Sequence, residues 1–181
     1  MRCIERLIQR IAHSQFITFI TRNKLLYEFQ SGFREQHLCE SALNDILFQW
    51  KGAMNDSKFI IAFFLDLRRA FETIEAEILL CKLKIFGVHG VELAWFRNYL
   101  RNRKHVVQIC NVISDEINNR LGVPQGSILG PLLFLLYIND LGDCLDHCEI
   151  RLFADDTLLY IVADELDQAV EEVNDDLSKL Y

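Results

Sequence analysis

The stretch that decides the fold is Glu149-Ile150-Arg151-Leu152-Phe153-Ala154-Asp155-Asp156-Thr157-Leu158-Leu159-Tyr160-Ile161-Val162, in which two adjacent aspartates separate two short apolar runs. Both runs are rich in aromatic and branched side chains, a composition typical of β-strands. The aspartates then fall at the connecting turn, where a carboxylate can hydrogen-bond nearby backbone. Two adjacent carboxylates between apolar strands repel each other unless a cation neutralises them. The stretch therefore predicts a hairpin whose turn is either an ordinary polar turn or part of a cation site.

The composition is that of one globular domain with ample apolar material for a core. The chain has 181 residues, 51% of them hydrophobic, and no low-complexity tract. The longest apolar run, residues 128–138, is interrupted by Gly130-Pro131 and is too short to cross a bilayer. Residues 1–10 interleave charges with Ile and Leu, unlike a secretory signal. We expect an intracellular protein without a membrane partner; the sequence indicates neither nucleus nor cytoplasm, and no oligomeric state.

The cysteines are scattered through apolar segments, and without a secretory signal we expect reduced, mostly buried thiols. They are Cys3, Cys39, Cys81, Cys110, Cys144 and Cys148. Two of them flank His147, a spacing compatible with a metal site. Zinc takes four ligands, however, and the sequence offers no second cluster, which disfavours that interpretation.

The charge is unevenly distributed along the chain. The net charge is −7, but residues 1–138 carry 17 Lys/Arg against 13 Asp/Glu, whereas residues 139–181 carry 2 against 13. Much of the acidic part lies in residues 164–176, which have an apolar stripe at helical spacing and acids on the opposite side. That run is most simply a solvated helix face. The mildly basic remainder is compatible with a phosphate-backbone partner.

Hydrophobic periodicity predicts an α+β domain with an antiparallel sheet. Helices are predicted at residues 3–20, with Ile4, Leu7, Ile8 and Ile11 inward, and at 38–50, 75–86, 91–101, 128–140 and 164–176. Residues 59–65 are nearly all apolar and predict a central strand buried on both faces. Residues 106–112 predict another strand.

Asp66 directly follows the strand predicted at residues 59–65. If that strand and the Asp155-Asp156 hairpin are neighbours in one sheet, three carboxylates meet at one sheet edge. Hard oxygen ligands in small number suit Mg²⁺, which keeps waters and takes substrate phosphates as further ligands. Two such ions can activate a hydroxyl and stabilise a leaving pyrophosphate. The alternative for Asp66 alone is an ordinary residue at a strand end.

Four segments resemble the reverse transcriptases of non-LTR (LINE-type) retrotransposons, and their order and spacing along the chain agree with that family. The segment from Phe63 to Thr73, FFLDLRRAFET, is similar to the first palm motif, and that from Leu121 to Phe134, LGVPQGSILGPLLF, to the second. Phe153-Ala154-Asp155-Asp156-Thr157 resembles the catalytic box, and Gln30-Ser31-Gly32-Phe33-Arg34 a fingers motif. The fourteen-residue segment is the most specific of the four, and the resemblance covers essentially the whole chain.

The resemblance implies an RNA-directed DNA polymerase with two Mg²⁺ ions, Mn²⁺ being an alternative, that acts on an RNA template, a DNA primer and a dNTP. It implies a polymerase palm, a ferredoxin-like antiparallel sheet with packed helices, at residues 59–181 and partial helical fingers at 1–58. The thumb is expected to lie outside this chain. It further implies catalytic and metal-binding roles for Asp66, Asp155 and Asp156, and nucleotide contacts by Phe71, Gln125, Gly126, Arg34 and Leu67.

Two segments depart from the family pattern. Arg69-Ala70-Phe71-Glu72 stands where the family usually has Lys-Ala-Phe-Asp, and His37-Leu38-Cys39-Glu40 where a His-Ser-Thr run is common. Two other interpretations stay open. One is a truncated or domesticated remnant that binds nucleic acid without polymerising; the other is a palm-type nucleotide cyclase or an intron- or retron-encoded reverse transcriptase.

Overall fold

A computed structural model describes residues 3–101, 103–119, 121–124 and 126–180. The helices are α1 (Cys3–Arg22), α2 (Cys39–Asn55), α3 (Ala76–Ile85), α4 (Gly90–Leu100), α5 (Gly130–Tyr137), a 3₁₀ helix (Leu141–Cys144) and α6 (Leu166–Lys179). The strands are β1 (Phe59–Asp66), β2 (Arg103–His105), β3 (Gln108–Ile109), β4 (Val112–Ile113), β5 (Ile117–Asn119), β6 (Glu149–Phe153) and β7 (Asp156–Ala163). The predicted mixture of helices with antiparallel sheets is confirmed.

The chain folds into two compact units, each made of two stretches of sequence. The first unit comprises residues 1–25 and 69–137, and the second comprises residues 26–68 and 138–181. Both are interleaved in sequence, so neither coincides with the predicted boundary at residue 58. Fingers and palm are functional divisions rather than contact clusters, and that assignment stays a prediction.

The second unit is built on an antiparallel three-stranded sheet with the order β1-β7-β6. One face packs on α2, where Ile46 of the helix meets Leu158 and Tyr160 of β7. The other face packs on α6, where Ala169 and Val173 meet Ile161. Alternate residues of β7 thus enter opposite cores, as the two-residue period of a strand requires.

The first unit buries its core between helices. All of α5 from Leu132 to Leu136 is at most 3% exposed, which fits its unbroken apolar sequence. Ser127 caps the start of this helix, since its Oγ accepts the Gly130 N–H at 3.0 Å. Phe16 of α1 packs on Phe96 of α4 with ring centroids 4.8 Å apart.

Two strand predictions need correction. Residues 59–65 form a strand, but β1 lies at the sheet edge, β7 is central, and Phe64 is 80% exposed. An apolar run cannot reveal which strand has two neighbours. The single strand predicted at 106–112 is wrong, because a turn at Cys110, whose φ is +54°, separates β3 from β4.

The inward face predicted for α1 is also wrong. The four residues expected inside are 49% to 73% exposed: Ile4, Leu7, Ile8 and Ile11. Over residues 4–22 of α1, the buried side chains are instead those of Gln9, Phe16 and Ile20. Gln9 is buried because its Oε1 accepts the Ile128 N–H at 2.9 Å, a tertiary contact that periodicity cannot predict.

The described cysteines are free thiols, as expected, but most are not buried: Cys39, Cys81, Cys110 and Cys144 are exposed and Cys148 is half-buried. Among the described residues, no helix is both long and apolar enough to cross a membrane.

Candidate active site

The acidic hairpin is confirmed, with Ala154 and Asp155 as its turn. Phe153, the last residue of β6, pairs with Asp156, the first of β7. Ala154 has φ +57°, in the left-handed region that L residues other than Asn and Asp seldom adopt. A positive φ at the first turn residue suits the right-handed twist of a two-residue hairpin, but it normally calls for glycine.

The sheet brings Asp66 and the hairpin together. In the antiparallel register of β1 and β7, Asp66 lies directly opposite Asp156. Directly opposed residues carry their side chains on the same face, with Cβ atoms about 4.5–5.5 Å apart. Asp66 and Asp156 are exposed, and Asp155 is half-buried one residue before. The prediction that the two strands are neighbours in one sheet is therefore confirmed.

Asp66 and Asp156 border a groove of about 640 Å³ on the α2 face of the sheet. Asp66 and Asp156 line one part of it, and Phe48 of α2 and Phe64 of β1, which are 82% and 80% exposed, line another. A pair of acids beside exposed aromatic rings offers oxygen ligands and stacking surface together.

The tightest group of potential metal ligands in the described part of the chain lies elsewhere. Ligand atoms of His147, Asp175 and Asp176 come within 4.8 Å of one another, and those of Asp66, Asp155 and Asp156 do not form so close a group. Asp176, however, is already occupied as a hydrogen-bond acceptor. It accepts the N–H groups of Asp146, His147 and Cys148 at 2.9, 2.8 and 2.7 Å.

The environment of Asp176 fixes its charge state. Burial alone would raise the pKa of its carboxyl, but the three backbone donors and Lys179 hold the pKa well below its usual value. Burial and the neighbouring Asp176 carboxylate raise the pKa of the Cys148 thiol to about 11. This cluster ties α6 to the chain entering β6 and is fully explained by that structural role.

In the first unit, Phe71 lies against the loop that follows Gly122. The Val123 N–H donates to the Phe71 carbonyl at 3.1 Å, and the Gly122 N–H donates to the Ile74 carbonyl at 2.7 Å. A Cβ on Gly122 would lie 2.9 Å from the same Phe71 oxygen, so glycine is required there. The Phe71 ring packs on Phe134 at 4.6 Å between centroids. Two sequence-distant motifs therefore meet within one unit.

The remaining predicted nucleotide contacts have diverse settings. Gly126 is exposed with φ +71°, and Leu67 is half-buried directly after β1. Gln125 lies outside the described residues. The Arg34 guanidinium binds backbone, since its Nη1 donates to the carbonyls of Gln30 and Tyr27 at 2.8 and 3.1 Å, and burial lowers its pKa.

Gln30 is the site residue that sequence analysis did not single out. It is 1% exposed and contacts the acidic turn through its side-chain amide. The only sequence signal was its place in the QSGFR segment, two residues before Gly32.

Comparison with known proteins shows the family to which the chain belongs. The family model described as "Reverse transcriptase (RNA-dependent DNA polymerase)" matches residues 1–180. The chain belongs to the reverse transcriptase family. The predicted affiliation with transposon-borne members is confirmed by its relatives.

Two Drosophila melanogaster proteins illustrate that affiliation. A probable RNA-directed DNA polymerase from transposon X-element is 31% identical over 144 residues, 76% of this chain and 15% of the relative. The RNA-directed DNA polymerase from mobile element jockey is 27% identical over 160 residues, 88% of this chain and 17% of the relative. The chain thus spans about a sixth of the length of the relatives that it matches.

The fold of this reverse transcriptase family member also resembles a solved structure. A telomerase from Candida albicans, solved with a fragment of telomeric RNA, matches with a TM-score of 0.61. The match covers 94% of this chain and 32% of that chain at 13% sequence identity. It supports a polymerase-like α+β fold.

Proposed function

We propose that this chain carries the catalytic carboxylates of an RNA-directed DNA polymerase of a non-LTR retrotransposon. The observation that carries the proposal is the register of β1 and β7, which sets Asp66 opposite Asp156 and next to the Asp155 turn. In the reaction, the primer 3′-oxygen forms a bond to the α-phosphorus of a dNTP. The bond from that phosphorus to the oxygen bridging to the β-phosphate breaks, the 3′-hydroxyl proton passes to water, and pyrophosphate departs.

The three carboxylates fit a site for Mg²⁺, with Mn²⁺ as an alternative. They offer hard oxygen ligands at one end of the sheet, and the open groove that Asp66 and Asp156 line leaves room for water and substrate phosphates. Among the described residues, none of the three is engaged in an ion pair that would have to be broken first. Two bound ions would lower the barrier by activating the attacking hydroxyl and neutralising the leaving group.

The nucleotide contacts are proposed from the resemblance and supported by local geometry. The bulky ring of Phe71 would exclude a nucleotide that carries a 2′-hydroxyl. Phe134 packs on this ring and limits its movement, so the ring could not turn aside. Gly126, exposed and left-handed, would let backbone approach the incoming nucleotide. Leu67, which directly follows Asp66 in the chain, would also contact the nucleotide. Gln125 and Arg34 would complete the set, Arg34 through guanidinium nitrogens other than Nη1.

The assignment of residues 59–181 to a ferredoxin-like palm and of 1–58 to partial fingers belongs to the same proposal. So do the partners, an RNA template, a DNA primer and a dNTP. The excess of Lys and Arg in residues 1–138 supports a phosphate-backbone partner. An intracellular site of action belongs to the proposal as well.

Incorporation of a single dNTP on an RNA template with a labelled DNA primer tests the proposal. We expect Mg²⁺-dependent incorporation by the parent, and about 100-fold or greater loss in Asp66→Asn and Asp155→Asn, since metal ligands supply several kcal/mol of transition-state stabilisation. Asp56→Asn is the matched control, an exposed aspartate of the same unit just after α2. Equal rates in the parent and Asp155→Asn would refute the assignment of Asp155. A parent that binds the RNA–DNA duplex without incorporation would favour the non-polymerising alternative.

A further inference from the structure

The buried side chain of Gln30 forms hydrogen bonds with the backbone of the acidic turn. Its Oε1 accepts the Ala154 N–H at 2.9 Å and the Gly32 N–H at 2.7 Å, and its Nε2 lies 3.4 Å from the Ala154 carbonyl. Gln30 is 1% exposed and Ala154 is 7% exposed. The amide therefore meets both polar backbone groups of the residue immediately before Asp155, away from water.

The segment carrying Gln30 is itself fastened to β6. Leu152 donates its N–H to the Phe29 carbonyl at 3.0 Å, and Ser31 donates its N–H to the Leu152 carbonyl at 2.8 Å. Gln30 pairs with Leu152 in parallel orientation, as a short extra strand would. On its other side, Arg34 donates to the Gln30 carbonyl at 2.8 Å. The position of Gln30 is thus fixed by backbone bonds of its chain neighbours to β6 and by the Arg34 side chain.

Contact between this segment and the turn is too close for any side chain at position 32. A Cβ built on Gly32 would lie 2.1 Å from the Ala154 nitrogen and 2.7 Å from its Cα, where real Cβ atoms are not found. Because Gly32 has no side chain, its backbone can contact the backbone of Ala154 directly. The same approach brings the Gly32 N–H within reach of the Gln30 amide oxygen.

The turn needs these hydrogen bonds because Ala154 adopts an energetically unfavourable backbone conformation. Its φ of +57° costs an L residue about 1–3 kcal/mol, and such a residue persists only where the surroundings hold it. The direction of the following peptide, and with it the position of Asp155, depends on that torsion. Without the Gln30 amide, Ala154 would relax toward negative φ, which would change the position of the Asp155 carboxylate relative to Asp66 and Asp156.

We propose that Gln30 is a positioning residue for this active site, which sets the Asp155 carboxylate for cation binding by holding Ala154 in the left-handed conformation. The inference rests on the proposed function, because it concerns a carboxylate assigned there as a metal ligand. Partners that orient metal ligands typically contribute about 10–100-fold to metal affinity. Gln30 is expected to act in that range.

Mn²⁺ affinity, read from the electron paramagnetic resonance signal of the free ion, tests the proposal on the isolated chain. In Gln30→Met the side chain keeps its length and loses its oxygen acceptor, and we expect about tenfold weaker binding. Gln9→Met is the matched control, since Gln9 is also 1% exposed and also accepts a backbone N–H, at 2.9 Å from Ile128. We expect its Mn²⁺ affinity to equal that of the parent.

Thermal unfolding by circular dichroism sets a temperature at which every variant is folded. A purely structural role for Gln30 would lower the melting temperature and leave the affinity of the folded protein unchanged. If Gln30→Met does not fold, Gln30→Asn replaces it, because the shorter amide stays polar but withdraws the oxygen from both N–H groups. We expect weaker Mn²⁺ binding in that variant too.

Asp155→Asn separates the two hypotheses. If it binds Mn²⁺ as tightly as the parent, the metal assignment of the proposed function fails and the inference fails with it. If Asp155→Asn weakens binding while the folded Gln30 variant binds like the parent, the proposed function stands and the positioning role alone is overturned. Weakened binding in both, with Gln9→Met unchanged, supports both.

Discussion

At the scale of single residues, buried polar side chains of this protein bind backbone rather than each other. Asp176 is fully buried, accepts three backbone N–H groups and meets Lys179 Nζ at 3.0 Å. Gln30 holds two backbone N–H groups in the same way. Buried polar groups are stable only when they are hydrogen-bonded, so these side chains fix the local chain path.

Asp176→Asn is expected to destabilise the fold by about 2–3 kcal/mol at pH 7, because an amide NH₂ would face backbone donors in place of a carboxylate oxygen. The pKa of Asp176 is lowered in the folded state. Its stabilising contribution is therefore complete above the ordinary Asp value of about 4 and is lost as the pH falls below it toward the folded pKa.

Urea unfolding from pH 7 down to pH 2 measures this effect. The parent should lose stability over the acid range more steeply than Asp176→Asn, whose curve lacks that contribution. Parallel pH curves for the two proteins would mean that Asp176 is not the acid-sensitive group. Asp175→Asn, an exposed neighbour on the same helix, serves as the control for the change in surface charge.

The sequence alone was enough to single out the acidic candidate residues. It did not predict which residues a buried polar side chain would contact. The acidic pair and Asp66 were identified because charged residues beside apolar strands are conspicuous. Gln30 was not, since nothing in a glutamine's own identity reveals which backbone it will meet. Gln9 was missed for the same reason, and its burial overrode the apolar stripe of the first helix.

At the scale of elements, β7 is the strand on which the site depends. It is paired on both sides and carries Asp156 at its first residue. Tyr160, fully buried in its middle, places its hydroxyl 2.5 Å from Gln49 Oε1 of α2 and 2.7 Å from Glu149 Oε2 of β6. Three elements therefore meet at one phenol, whose pKa is raised by burial and by Glu149.

Tyr160→Phe removes that junction while keeping the ring. We expect a loss of about 1 kcal/mol, the typical net value of a hydrogen bond, and a melting temperature lower by about 2–4 °C for a chain of this size. Differential scanning calorimetry measures the change. A melting temperature equal to that of the parent would show that the hydroxyl contributes nothing to holding α2 on the sheet.

The sequence predicted where most helices and strands lie in the chain. It did not predict which elements they pack against or pair with. Apolar runs and turn residues located β1, β6, β7 and most helices to within a few residues. Strand order, in contrast, is set by pairing between distant segments, so the edge position of β1 was predicted wrongly. The turn at Cys110 escaped prediction because an apolar run on both sides resembles one continuous strand.

At the scale of the whole molecule, the family relationship and the sheet register both support the proposed function. The family match covers residues 1–180, and the register unites acidic residues 90 positions apart in the chain, Asp66 and Asp156. Acidic residues outnumber basic ones overall, and much of the excess comes from exposed or half-buried acids of α6, namely Asp167, Glu171, Glu172 and Asp175. The net charge of −7 is therefore no argument against a nucleic-acid partner.

The central claim is that Asp66, Asp155 and Asp156 hold divalent cations in common. Crystals of the chain with an RNA template, a DNA primer and a dNTP, grown in Mn²⁺, test it through anomalous scattering from the metal. We expect anomalous peaks within bonding distance of the Asp66 and Asp155 carboxylate oxygens, with Asp156 beside them. Peaks confined to His147 and Asp175, or none near Asp66, would contradict it.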